Sequence, residues 1–190
     1  MRIGVLALQG AFIEHQQMLD RLGVSSFQIR NLTDLQCPMD GLILPGGEST
    51  AMGKLLKDLN LYEPIKEKIQ QGFPVFGTCA GLILLSKSID DYATSHFGLL
   101  DVHTKRNAYG RQLGSFQIDH TFDGKVIPMV FIRAPYIDQY GKDFEVLASY
   151  QGKVIAGRQN NMLVTAFHPE LTKDTTIHAY FIHMIQNRSL

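Results

Sequence analysis

The sequence has no excess charge of either sign: 18 Lys and Arg stand against 18 Asp and Glu in 190 residues. Without a global basic field, neither nucleic acid nor an anionic membrane is expected as the main partner. Long apolar runs are missing as well. Leu82-Ile83-Leu84-Leu85, among the longest, falls far short of the roughly 18 residues a membrane span needs. The opening residues 1–8 are too short for a signal peptide and run into polar Gln9-Gly10. Cysteine is scarce, with only Cys37 and Cys79. Two thiols make no disulfide scaffold, so a reduced cytoplasm is the expected location. No Cys-x-x-Cys or His-rich cluster offers metal-ligand spacing, and neither a metal nor another cofactor is expected. Internal repeats, low-complexity segments and interdomain linkers are absent too.

What remains is ordinary globular composition, 45% hydrophobic and 19% charged. The length suits a single domain, residues 1–190, with a sizeable core. The first half alternates strands and helices. Residues 3–8 and 41–44 read as short buried strands, with 27–29 and 75–76 as two more. Helical spacing occupies residues 12–22, closed by Gly23, and residues 51–59, with Ser49-Thr50 as the expected cap. Pro64 suits the first turn of another helix, to about residue 71, and residues 82–85 open a further one. This alternation predicts a three-layer α/β fold, a mostly parallel central sheet flanked by helices. The second half changes rhythm. Residues 115–120, 130–132, 146–150, 154–157 and 163–167 read as short strands separated by turns such as Asp123-Gly124, a small antiparallel addition. Residues 175–187 read as a closing helix, and residues 90–97 as a mobile surface loop.

Chemistry concentrates in three places. Phe76-Gly77-Thr78-Cys79-Ala80-Gly81 sets a cysteine between a strand and a helix, a nucleophile elbow with sulfur in place of oxygen. Flanking glycines are expected to permit the sharp turn, and the helix start to favour the thiolate. A buried structural cysteine is the bland alternative, and the strand–elbow–helix context disfavours it. Phe167-His168-Pro169-Glu170 supplies a base and its orienting carboxylate. One residue apart in an extended segment, His168 and Glu170 would leave the chain on the same side. By itself that tetrapeptide is an ordinary surface turn; its value comes from pairing with the elbow. Pro45-Gly46-Gly47-Glu48-Ser49-Thr50 follows a strand and can gather backbone N–H groups around an anion. The N–H groups of Gly47 and Ala80 are the candidate oxyanion donors. Arg106 could pair with a substrate carboxylate. Cys37 has no neighbouring base and is read as non-catalytic. His15, His96, His103, His120, His178 and His183 have no motif around them and are assigned ordinary surface or core roles.

These three stretches together resemble the class I, triad-type glutamine amidotransferases, which have a flavodoxin-like fold. Within them the chain is most similar to the glutaminase subunits of pyridoxal 5′-phosphate synthase. Residues 4–11, Arg106-Asn107-Ala108-Tyr109-Gly110-Arg111-Gln112 and Val130-Phe131-Ile132-Arg133-Ala134-Pro135 carry the narrower likeness. Ala108-Tyr109 stands where that family more usually has Ser-Phe. The resemblance implies hydrolysis of L-glutamine to glutamate and ammonia. The ammonia passes to a barrel-shaped synthase subunit, which builds pyridoxal 5′-phosphate from ribose 5-phosphate and glyceraldehyde 3-phosphate. It implies Cys79 as nucleophile with His168 and Glu170 as its relay. Gly47, Glu48, Ser49, Arg106, Ile132 and Arg133 would line the glutamine pocket, and Gln9-Gly10 would lie where the partner meets the site. The alternatives are a glutaminase serving another amidotransferase and a non-catalytic scaffold of the same fold. The first would lack the Ile-Arg-Ala-Pro stretch, and the second predicts a broken triad. A thiol-stress protein on the same elbow would not need Glu170.

Overall fold

The computed structural model describes residues 1–90, 96–106 and 114–187. Most of the loop expected at residues 90–97, and the Ala108-Tyr109 pair, fall outside them.

Four short strands, β1 (Arg2–Leu6), β2 (Ser25–Ile29), β3 (Gly41–Leu44) and β4 (Val75–Thr78), form the parallel half of the sheet. Their spatial order is β2-β1-β3-β4, the doubly wound pattern in which ligands bind beyond the strands' carboxyl ends. Helices α1 (Phe12–Arg21), α2 (Leu32–Leu35), α3 (Ser49–Asp58), α4 (Tyr62–Gln70) and α5 (Ala80–Leu85) connect or cover them. β1, β3 and β4 are near-continuous apolar runs because both sheet faces are covered. Ile3, Val5, Leu42, Ile43, Leu44, Val75 and Phe76 are fully buried. Each such side chain contributes about 1.5–3 kcal/mol of hydrophobic stabilisation.

Most of the rest of the chain extends this sheet. The extension comprises β5 (Ser86–Ile89), β6 (Leu100–Lys105), β9 (Tyr136–Tyr140), β10 (Glu145–Tyr150), β11 (Lys153–Gln159) and β12 (Met162–Thr165), with β7 (Ser115–Phe122) and β8 (Lys125–Ile132) as a separate antiparallel hairpin. β12 joins the two regimes, running parallel to β4 and antiparallel to β11. Its continuous Met-Leu-Val-Thr, buried at every position, is what a central strand requires. The closing helix α6 (Thr176–Gln186) packs Phe181 and His178 against Phe76. The observed fold is the α/β arrangement expected, with β5, β6, β9 and α2 in addition. Residues 82–85 end α5 instead of opening a longer helix, because the chain turns at Ser86 into β5.

This register positions the site. Leu44 pairs with Gly77, and Thr78 with Thr165, so three neighbouring strands end side by side. The Gly46-Gly47 loop leaves the first, Cys79 the second and His168 the third.

Candidate active site

Cys79 sits between β4 and α5 with φ 48° and ψ −97°, a strained conformation for a residue with a side chain. The strain is held from both sides: its N–H donates to Thr165 O at 2.8 Å, and its carbonyl accepts from Ile83 N at 3.2 Å. The flanking glycines act differently from the expectation. Neither Gly77 nor Gly81 has positive φ. They are required because a Cβ on Gly81 would lie 2.1 Å from Leu44 O, and one on Gly77 2.7 Å from the carbonyl carbon of Gly81. The elbow needs bare backbone for close packing of helix on strand, while the sharp turn falls on the cysteine itself.

His168 is reached through a second device. Thr165 Oγ1 donates to Phe167 O at 2.9 Å, and the His168 N–H donates to Val130 O at 2.8 Å, tying the segment to β8. His168 itself is near-extended, with φ −107° and ψ 84°, as a following proline demands. Glu170, however, lies in a 3-10 turn, Pro169–Leu171, rather than further along an extended strand. Pro169, with its φ already set, opens that turn and folds Glu170 back under the ring. Glu170 Oε1 lies 2.7 Å from His168 Nδ1, and both side chains are buried. Cys79 lies near the same imidazole, since a Cβ on Gly46 would meet both the ring and Cys79 Cβ. Burial opposes the imidazolium, but the hydrogen bonds and negative charge of Cys79 and Glu170 prevail and push His168 up to about 10. That balance favours the protonated ring, placed between the sulfur and the carboxylate.

These groups open into a cavity of about 520 Å³. Of the residues nominated from sequence, Gly47, Glu48, Ser49, Cys79, Arg106, Ile132, Arg133 and His168 line it. Ala80 and Glu170 lie behind their neighbours and are nearly fully covered. Cys79 Sγ is 4.0 Å from Ile132 O, so the end of β8 forms the wall opposite the elbow. Arg133 adopts φ 43°, a turn that separates its direction from that of Ile132. Glu48 has a structural task that sequence reasoning gave to Ser49-Thr50. Its carboxylate accepts from Thr50 N at 3.0 Å and Ala51 N at 2.7 Å, capping α3, because α3 begins at Ser49. Those hydrogen bonds, with Arg106 at 3.6 Å, outweigh its burial and hold Glu48 below the usual carboxylate range. Cys37 lies away from this cavity, its thiol 3.9 Å from Thr33 O.

Two sets of residues have structural tasks that the sequence did not show: the 9–11 segment, expected only where a partner meets the site, and two buried histidines. Gln9 Oε1 accepts from Glu48 N at 2.6 Å and lies where a Cβ on Gly47 would be, while the Ala11 N–H donates to Gly46 O at 3.1 Å. The 9–11 segment thus holds the Gly46-Gly47 loop in shape. His15 and His178, given ordinary roles, are wholly buried, with His15 beside Glu170 and His178 against His15. Among the described residues, no group of three or more His, Cys, Asp or Glu is arranged to hold a metal ion, and no helix is long and apolar enough to cross a membrane.

A doubly wound sheet with a strained cysteine, an imidazole and a carboxylate gathered at adjacent strand ends defines the class of triad-type glutamine amidotransferases. Solved structures agree on the fold. A glutamine amidotransferase superposes with a TM-score of 0.92 at 40% identity, covering 97% of this chain and 98% of that one. PurLQS from Thermotoga maritima reaches 0.67 at 16% identity, covering 98% and 97%, a likeness of fold alone. The chain belongs to the SNO glutamine amidotransferase family, whose profile matches residues 5–187. Among its relatives is the pyridoxal 5′-phosphate synthase subunit PdxT of Haemophilus influenzae (strain PittGG), 56% identical over 96% of this chain and 97% of that protein. The PdxT of Streptococcus pneumoniae (strain CGSP14) is 55% identical over 99% of each.

Proposed function

We propose that this chain is the glutaminase subunit of a pyridoxal 5′-phosphate synthase. It hydrolyses L-glutamine to glutamate and ammonia and delivers the ammonia to a barrel-shaped synthase subunit, in the cytoplasm and as one glutaminase domain over residues 1–190. The observation that carries this reading is the Cys79–His168–Glu170 line at the cavity, in a chain more than half identical to PdxT along nearly its whole length.

Cys79 sulfur attacks the side-chain amide carbon of glutamine. The resulting oxyanion is held by the N–H groups of Gly47 and Ala80, each well-placed donor being worth about 3–4 kcal/mol. With α5 only six residues long, its contribution is the local first-turn N–H of Ala80 rather than a large dipole. The C–N bond breaks as His168 gives its proton to the departing ammonia. His168 then takes a proton from water, which attacks the thioester, releasing glutamate and returning the sulfur. Glu170 keeps the imidazole aimed and stabilises its charged form. Gly47, Glu48, Ser49, Arg106, Ile132 and Arg133 receive the glutamine, with Arg106 and Glu48 offering opposite charges to its α-carboxylate and α-amino group. Exposed Leu171 and Ile132 at the cavity rim, with Ile13 two residues beyond Ala11, suit a protein partner seated over the 9–11 segment.

The test is ammonia release from glutamine, with and without the pyridoxal-phosphate synthase subunit. Wild-type protein is expected to release ammonia in the assembled complex, and Cys79→Ala to release none while still docking. Wild-type-like turnover by Cys79→Ala in the complex would rule the mechanism out.

A further inference from the structure

Behind Glu170, on the side away from His168, the contacts of His15 and His178 form one line through the core. His178 Nε2 lies 2.9 Å from His15 Nδ1. His15 Nε2 lies 3.2 Å from Thr78 Oγ1 and 3.6 Å from Glu170 Oε2. Glu170 Oε1 is already engaged by His168, whereas Oε2 is buried without a hydrogen-bond partner. The far nitrogen, His178 Nδ1, is likewise buried and unpartnered.

Those two facts place the protons. A neutral imidazole has one N–H and one lone pair. A buried N–H without an acceptor is the rarer and costlier arrangement, so the His178 proton belongs on Nε2, donating to His15 Nδ1. His15 must then carry its own proton on Nε2, the nitrogen that faces Thr78 and Glu170. Both rings are neutral: burial, and then the like charges of His178 and His168, hold His15 well below the ordinary histidine range, and burial pulls His178 down to about 3.

We propose that His15, oriented by His178, is a positioning residue for Glu170, its Nε2–H directed at the carboxylate oxygen that His168 leaves free. This rests on the reading of Cys79, His168 and Glu170 as a working triad. At 3.6 Å the contact is longer than a hydrogen bond and acts as an aligned dipole shared with the Thr78 hydroxyl. A neutral donor suits the task. A lysine or arginine there would spend the carboxylate's charge that stabilises the His168 imidazolium, whereas a neutral N–H fixes the carboxylate plane and leaves its charge intact. The groups around His15 are His178 from α6, Thr78 and Phe76 from β4, and His168 and Glu170 from the turn after β12.

The experiment uses the complex with the synthase subunit, carrying Cys37→Ser so that Cys79 is this chain's only thiol. Mass spectrometry follows iodoacetamide labelling of Cys79 against pH, and kcat and KM for glutamine are measured alongside. His15→Leu removes the N–H at similar volume, and His15→Gln returns an amide N–H near the Nε2 position. His15→Leu is expected to move the acid limb of the labelling profile up by about half a unit to one unit, a roughly three- to tenfold change at fixed pH. It should lower kcat by a similar factor with KM unchanged, and His15→Gln should restore most of both. A His15→Leu profile coincident with wild type overturns the proposal, as does a His15→Gln profile as displaced as that of His15→Leu. If His15→Leu does not fold, His178→Phe takes its place, with a smaller shift in the same direction expected and no shift overturning the idea. A wild-type complex that labels normally but yields no ammonia from glutamine would instead sink the glutaminase reading, while the labelling series would still decide the role of His15.

Discussion

Gly46 shows how tightly single residues define this site. A Cβ there would stand 2.3 Å from His168 Cε1, 2.8 Å from its Nδ1 and 3.4 Å from Cys79 Cβ. The imidazole cannot give way without leaving either the sulfur or Glu170. Gly46→Ala is therefore expected to displace the ring by roughly an ångström and cut glutamine turnover by about 100-fold, the usual cost of such a misplacement. KM should change little, and steady-state assays on the complex check both numbers. Glu48→Ala separates two roles the residue holds. Loss of the α3 cap should cost about 1 kcal/mol in urea unfolding. Loss of the charge facing Arg106 should raise KM for glutamine, and an unchanged KM would confine Glu48 to capping. At this scale the sequence is legible where neighbours in the chain are also neighbours in the site, as in His168 and Glu170. It is illegible where they are not. His15 and His178 are 163 positions apart, and they meet each other and Thr78 only where α1, α6 and the end of β4 pack together. No local motif marks such residues.

The elements were legible to the extent that burial shapes their pattern. β1, β3 and β4 are covered on both faces and so read as short apolar runs ending in turn residues. β6 alternates buried and half-buried positions along Leu-Asp-Val-His-Thr-Lys, a period-two signal masked by the polar residues at every second place. β5, Ser-Lys-Ser-Ile, and β9, Tyr-Ile-Asp-Gln-Tyr, carry little such signal, because short and partly exposed strands are fixed by their partners rather than by their own residues. The pairing of β12 with both β4 and β11 could not be read locally either, since strand direction is set by a chain reversal far away. α5 is an element whose position depends on one missing side chain. Gly81→Ala would force its new Cβ to within 2.1 Å of Leu44 O, a backbone atom that cannot rotate away. The helix must then rise off β3, carrying Cys79 and the Ala80 N–H with it. We expect about 1–3 kcal/mol lost in urea unfolding, together with slower iodoacetamide labelling of Cys79. Unchanged labelling would show that the elbow tolerates the lift.

For the whole molecule, the protonation of His168 ties stability to pH. In the unfolded chain His168 titrates near its ordinary value of 6.5, and in the fold it titrates near 10. Between those values the folded state binds more protons than the unfolded one, so stability falls as pH rises. The contribution is fully present below about 6.5 and is lost as pH climbs through about 10. The sheet transmits this to global unfolding because His168 is fixed to β8 through Val130 O and to the end of β12, next to β4. His168→Asn removes the titrating group. It should also impose a constant offset, since Glu170 is left buried without its partner. The readout is therefore the slope. Urea unfolding at several pH values from 6 to about 10 should show the wild-type advantage over His168→Asn shrinking steadily through that window. A difference that stays flat would mean that His168 is not protonated in the folded protein, and the placement of its proton between sulfur and carboxylate would have to be abandoned.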